Sequence, residues 1–226
     1  MYNVFGKVVN MDLTKYGINK DNKLLQIALT HTSYANEHGL QSYERLEFLG
    51  DAVLELVVSD YLFKHARLAE GAMTKKRSMY VCEDALDAYA KEINLKDYIK
   101  VGNGLIGLVN KTIIADVFES IIACIYLNNG LGKAKEFIYD IVIPKIQANK
   151  VYLSDYKSYL QELVQTNKKS LEYIIVDERG PAHDKTYEVV VRIDGMIYGR
   201  GVGKSKKDAE QEAAKNAIEK SSGGNK

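Results

Sequence analysis

Apolar residues recur at helical spacing through the first two thirds of the chain and at strand spacing only in the last third. Up to about residue 148, repeats at i, i+3 and i+4 predict helices over 23–33, 43–65, 82–94, 112–128 and 131–148. Gly39, Gly71, the Gly102/Gly104/Gly107 cluster and Gly130 punctuate them. Beyond about 150 the pattern changes. Residues 155–165 read as one more helix and 171–177 alternate as a strand, while Tyr187, Val189, Val191 and Ile193 fall at period two. Asp194-Gly195 supplies a two-residue hairpin turn, and 196–200 form the returning strand. Ser205, with Asp208 three positions on, is a capping box ahead of a last helix striped by Ala209, Ala213, Ala214, Ala217 and Ile218. The expected architecture is therefore two domains. An all-α domain over 1–150 precedes a small α+β domain of order α-β-β-β-α over 151–226, with a linker at about 149–154 and a disordered tail at about 221–226.

The predicted helix over 43–65 carries acids among apolar residues. At about 100° per residue, Glu44, Glu47, Asp51 and Glu55 share one face, and Leu46, Leu49, Val53 and Val57 the opposite one. Phe48 and Leu54 flank the acids, and Arg45 is their only basic neighbour in the stripe. The helix over 112–128 echoes this arrangement. Within 113–127 its only charges are Asp116 and Glu119, at i, i+3 on one face, with Thr112, Ala115 and Ala123 as small neighbours. Both helices are otherwise apolar, so both are expected to be buried. Carboxylates gathered in such a place are costly unless a cation joins them. Oxygen-only ligands suit Mg²⁺ or Mn²⁺. A di-iron bundle would need Glu-x-x-His, and none of His31, His38, His65 and His183 has a Glu three positions before it. Acid clusters on two helices fit metal-assisted phosphodiester hydrolysis, although other phosphohydrolases use the same parts.

Charge changes the picture little. The chain of 226 residues carries a formal net charge of +1. Residues 1–150 hold 18 basic and 18 acidic side chains, and residues 151–226 hold 13 and 12. An anionic partner must therefore be recognised by a local patch. One such patch runs from Gly199 to Lys207, where Arg200, Lys204, Lys206 and Lys207 occur without an acid and end at a helix N-terminus. A second feature is the turn Gly180-Pro-Ala-His183 between the first two strands. Together, in an α-β-β-β-α frame, these features point to duplex RNA, whose deep groove hides base edges and leaves shape, 2′-hydroxyls and phosphates to be read. The two cysteines, Cys82 and Cys124, lack metal spacing and read as buried thiols, which suits a reducing cytoplasm. No signal-peptide pattern occurs in residues 1–10, and no continuous apolar stretch is long enough to span a bilayer, so no membrane partner is expected.

The run Glu44-Arg-Leu-Glu-Phe-Leu-Gly-Asp-Ala52 resembles the signature of the ribonuclease III family. Ala115-Asp-Val-Phe-Glu119 resembles its second acidic motif, and Leu29-Thr-His-Thr-Ser33 the motif that precedes the signature. Residues 154–222 resemble a double-stranded-RNA-binding domain through Leu160-Gln-Glu162, Gly180-Pro-Ala-His183 and Gly203-Lys-Ser-Lys-Lys207. The resemblance implies a homodimeric, Mg²⁺-dependent endonuclease of rRNA and mRNA processing that cuts each strand of duplex RNA, leaving 5′-phosphates and short 3′ overhangs. It implies Glu47, Asp116 and Glu119 as metal ligands, Asp51 and Glu119 as the residues whose loss hurts most, and Glu44 and Glu70 as supporting acids. Gln161, Glu162 and His183 would touch minor-groove 2′-hydroxyls, and Lys204, Lys206 and Lys207 would hold phosphates.

Two departures accompany the resemblance: Tyr43 replaces the Asn usual before the signature, and Glu210 stands where many such RNA-binding domains carry a third Lys. The segment 101–110 is less typical. Lys75, Lys76 and Arg77 read as a solvated helix start, and His31 as a structural histidine. Two other readings remain. One is a non-catalytic duplex-RNA-binding protein with an inactive nuclease fold, which retention of all four acids disfavours. The other is a hydrolase of small phosphate esters, which leaves the second domain without a purpose.

Overall fold

The computed structural model describes residues 11–150, 152, 155–166, 168–181 and 184–223. It divides into two compact units, Met1–Ala148 and Asn149–Lys226. Residues 1–10, three positions of the expected linker (151, 153 and 154) and the end of the expected tail (224–226) lie outside the described residues.

The first unit is helical: α1 (Lys23–Ala28), α2 (Thr32–His38), α3 (Glu44–His65), α4 (Glu70–Val81), α5 (Glu83–Glu92), α6 (Lys111–Ile141) and α7 (Ile143–Gln147). The single helix expected over 23–33 is two. Thr30 turns its hydroxyl back to the Gln26 carbonyl at 2.7 Å, the His31 N–H donates to the Lys100 carbonyl at 2.9 Å, and the His31 ring accepts the Ser33 N–H at 3.1 Å as the cap of α2. The structural role expected for His31 is this cap. The helix α4 has no counterpart in the expected set, because its apolar positions are too sparse to show a repeat. Arg77 lies within it, donating to Ser59 Oγ at 3.1 Å, so it is not part of a solvated helix start. The breaks expected around 129–130 and at 148 also shift. Helix α6 runs on to Ile141 through a kink at Gly130 (φ 77°, ψ 175°), and α7 follows with a proline in its first turn.

At the centre α3 packs against α6, with Leu54, Val57, Val58, Phe118, Ile121 and Ile125 fully buried. By length and composition alone α6 is apolar enough to cross a membrane, although no such stretch is expected from the sequence. It packs instead as the core helix, against α1, α3 and α5. Helix α3 is not buried all round as expected: Phe48 is 82% exposed, Leu56 55% and Phe63 77%, and with exposed Ala52 they fall along one stripe. Leu54, expected beside the acids, lies fully in the core. Cys124 is buried and Cys82 is only half-buried at the α4–α5 junction; both are free thiols.

The second unit is α8 (Tyr156–Thr166), β1 (Leu171–Arg179), β2 (Thr186–Ile193), β3 (Met196–Gly203) and α9 (Lys206–Gly223). The strands form an antiparallel sheet in the order β1-β2-β3. Asp194 and Gly195 both take positive φ (49° and 78°), as a two-residue hairpin turn requires. Leu160 and Val164 of α8, Val189, Val191 and Ile193 of β2, and the alanine stripe of α9 with Ile218 share one core. Helix α9 reaches Gly223, two residues past the expected onset of the tail. Asp208 N–H donates to Ser205 Oγ at 3.1 Å and the Ser205 hydroxyl donates to Asp208 Oδ2 at 2.7 Å, so the expected cap is present.

Candidate active site and RNA-binding surface

Tyr43 starts α3: its carbonyl accepts the N–H groups of Leu46 (2.7 Å) and Glu47 (2.9 Å). Glu44 and Glu47 therefore sit in the first turn, where the helix dipole favours negative charge. Asn110 caps α6 by accepting the Ile113 N–H at 3.0 Å, which places Asp116 and Glu119 in its second and third turns. The buried Ser120 hydroxyl, 2.9 Å from the Ala28 carbonyl, ties α6 to α1. Gly50 sets the distance between the two acid-bearing helices. A Cβ there would lie 1.8 Å from the Glu119 carbonyl oxygen, so only glycine lets α3 and α6 approach this closely.

The two pairs of acids converge, and they perturb one another. Burial pushes the Glu119 carboxyl up to about 8, and the charges of Asp51, Glu47, Asp116 and Glu55 add to the rise. Burial likewise raises Glu47, helped by Asp116, Glu44 and Asp51. Asp116 is raised by burial, against the lowering effect of a hydrogen bond from Tyr43 Oη, which donates to Asp116 Oδ2 at 2.9 Å. Every charge named around Glu119 is a carboxylate, which is the environment a divalent cation would relieve. The donors are oxygen only, which fits Mg²⁺ or Mn²⁺. Among the described residues no three acids, histidines or cysteines stand close enough to hold an ion as placed. Ligation would require these side chains to adjust.

Of the expected supporting acids, Glu44 belongs to this cluster, through its effect on Glu47, and accepts the Ser42 hydroxyl at 2.9 Å. Glu70 opens α4, accepts the Thr74 hydroxyl at 3.1 Å, and lines a separate cleft with Leu62, Phe63, Met73 and Arg77. The sequence reading missed the hydroxyl of Tyr43, which reaches a carboxylate 73 positions away; no local spacing signals such a contact.

In the second unit Gln161 and Glu162 of α8 and Lys207 of α9 line one groove, together with Asp155, Lys157, Ser158 and Gln211. Lys206 and Lys207 lie in the first turn of α9 and Lys204 just before it, all exposed. Lys204 Nζ is 2.6 Å from Asp184 Oδ1, and Lys206 Nζ stands 5.8 Å over the Tyr187 ring. Glu210 does not stand bare: Lys157 Nζ is 2.6 Å from its Oε2. His183 lies outside the described residues.

Comparison with known proteins matches these two units separately. Residues 21–146 match the Ribonuclease-III-like family model, and residues 156–221 match the Double-stranded RNA binding motif. Ribonuclease 3 of Streptococcus pneumoniae (strain CGSP14) is 47% identical over 209 residues, covering 88% of this chain and 90% of the relative. The chain belongs to the ribonuclease III family. A solved structure of the nuclease domain of ribonuclease III from Campylobacter jejuni is 38% identical, with a TM-score of 0.53, and the match covers 57% of this chain and 92% of that one. The protein is a ribonuclease III-type endoribonuclease acting on double-stranded RNA, a helical nuclease domain followed by an RNA-binding domain. The inactive-fold reading finds no support. The small-ester reading gives no role to the second match.

Proposed function

We propose that this ribonuclease III-type enzyme cuts both strands of duplex RNA with Mg²⁺ (or Mn²⁺) held by Glu47, Asp116 and Glu119, with Asp51 and Glu119 as the residues on which turnover depends most. The observation that carries this reading is that Glu47 and Glu119 sit in a partly buried place, where burial first and then carboxylates contributed from two helices push both upward. Bound there, the cation would lower the pKa of a water nucleophile and neutralise charge developing on the phosphodiester. The chain's own part is to hold the acids on rigid helices, with α3 and α6 locked together at Gly50, and to bury Glu119 so that its affinity for positive charge is high. Hydrolysis then leaves 5′-phosphates and short 3′ overhangs. Gln161, Glu162 and Lys207 line the groove that would receive the minor groove and adjoining phosphates, with Lys204 and Lys206 beside it; in the nuclease domain Glu44 and Glu70 would be supporting acids of the cleavage site.

The active unit is a homodimer. One acid cluster cuts one strand, and the exposed stripe of Phe48, Ala52, Leu56 and Phe63 on α3 is apolar surface that a second copy would cover. Two free thiols are in keeping with a cytoplasmic enzyme, and structured rRNA and mRNA precursors are substrates of this shape. The test is incubation of the purified protein with long duplex RNA, with and without Mg²⁺. Cleavage should require the metal, and Glu119→Ala should abolish it, by at least about 10³-fold, while gel-shift binding of the duplex persists. Normal cutting by Glu119→Ala in Mg²⁺ would show the chemistry assigned to this cluster to be wrong.

A further inference from the structure

Tyr43 occupies a junction that neither its type nor its place in the sequence announces. Only 4% of it is exposed. Its N–H donates to the Thr30 carbonyl at 3.0 Å, and its own carbonyl starts α3, which carries Glu47 and Asp51. Its ring packs 5.7 Å from that of His31, which caps α2. Its hydroxyl crosses to α6 and donates to Asp116 Oδ2 at 2.9 Å. One residue thus fixes the start of the helix bearing two acids and grips a third acid on the facing helix. Each contact uses a different part of it: backbone, ring and hydroxyl.

We infer that Tyr43 is a positioning residue of the metal site, its hydroxyl committing one oxygen of Asp116 and leaving the other for the cation. The inference rests on the metal reading given above. A carboxylate on a helix turns about two side-chain torsions, and in a field of like charges it swings away from its neighbours. A hydrogen bond from a buried ring removes that freedom in advance, so less ordering remains when the cation arrives.

The experiment is calorimetric titration of the full-length protein with Mn²⁺ in the absence of RNA. Tyr43→Phe keeps the ring and all backbone bonds and removes only the hydroxyl. It is expected to weaken Mn²⁺ binding by about tenfold, as loss of a group that orients a metal ligand does. In an Asp116→Asn background the same substitution should produce no further loss, because its target carboxylate is gone. In cleavage assays the Mg²⁺ concentration for half-maximal rate should rise while the rate at saturating Mg²⁺ holds, a split that general loss of structure would not give. Wild-type affinity in Tyr43→Phe, or an equal loss with and without the Asp116 carboxylate, overturns the inference. Failure of the wild-type protein itself to bind Mn²⁺ overturns instead the metal reading beneath it.

Discussion

In the nuclease domain, Glu47, Asp116 and Glu119 stand half-buried, and every named charge acting on Glu119 is of the same sign. In the RNA-binding domain, Lys157, Lys204 and Arg200 each meet a carboxylate, at 2.6, 2.6 and 2.9 Å, on surface that is largely exposed. On the proposed function, the difference follows from what each domain would hold. A small hard cation would be captured by acids gathered in one place before it arrives, so the fold would carry their repulsion. A duplex is a long polyanion that a few solvated lysines can grip and release. Concentrated like charge costs stability in the free protein, whereas dispersed, paired charge is nearly neutral to it.

The two domains nonetheless share one packing device, and breaking it separates them most sharply. Gly50 lets α3 approach α6, while Gly199, Gly201 and Gly203 let β3 lie against α9. A Cβ at Gly201 would meet the Ala213 nitrogen at 2.2 Å and the Ala209 carbonyl oxygen at 2.3 Å. Gly50→Ala should destabilise the nuclease domain by about 3 kcal/mol and abolish cleavage, yet leave duplex binding by the other domain. Gly201→Ala should do the reverse, losing binding while the nuclease domain keeps its thermal transition. Circular dichroism melting and gel shift, run together on both variants, check the pair. A single shared loss in both would mean that the two units do not fold independently.

The same contrast governs what the sequence disclosed. The acid stripe, the alternating strands, the Asp194-Gly195 turn and the Ser205 cap are local patterns, and each appears in the structure where spacing placed it. The splitting of the first helix at Thr30 depends on a bridge to Lys100, seventy positions away, which periodicity cannot carry. Helix α4 was invisible because few of its residues are buried. In the site, the acids announced themselves by standing alone in apolar helices, but the Tyr43 hydroxyl and the fit of Gly50 against Glu119 exist only once two distant helices meet. The exposed flank of α3 misled for a related reason: a helix so rich in apolar residues is expected to be buried, yet Phe48, Leu56 and Phe63 stand exposed because, among the described residues, no other element of the domain packs over them.

The cost of burying Glu119 among like charges is itself measurable. A carboxyl raised from 4.5 to about 8 keeps its proton in the folded state after the unfolded chain has lost it. The folded protein therefore binds more protons across that window, and Glu119 makes stability fall as pH rises through it. Below 4.5 both states are protonated and the effect vanishes. Glu119→Gln removes the ionisable group. In metal-free buffer at pH 8.5 its nuclease-domain Tm should exceed that of the wild type by about 5 °C, equivalent to one or two kcal/mol in a chain of this length. The two should converge at pH 4, and saturating Mg²⁺ should close the gap at high pH by stabilising the wild type alone. Parallel thermal melts across pH, with and without Mg²⁺, test all three statements. A gap independent of pH would point to improved packing by the amide and not to relief of charge.

The smallest effect tests the other side of the contrast. If the RNA-binding domain tolerates ion pairs because they are weak, then releasing a lysine from its pair should help binding slightly. Lys204 is held by Asp184 through an exposed pair, both side chains more than half accessible. Such pairs are worth about 0.2–1 kcal/mol in water, and Lys204 would have to give its partner up to meet the phosphate proposed for it. Asp184→Asn should therefore tighten duplex binding by about threefold at low salt, an advantage that shrinks as salt screens both the pair and the phosphates. Lys157 and Glu210 give the control: that pair packs with the Lys157 ammonium 5.0 Å over the Tyr173 ring, so Glu210→Gln disturbs a more enclosed contact and should yield less gain. Fluorescence-anisotropy titrations of both variants at two salt concentrations would resolve differences of this size. Weaker binding by Asp184→Asn would mean that the carboxylate orients Lys204 for phosphate and does not restrain it.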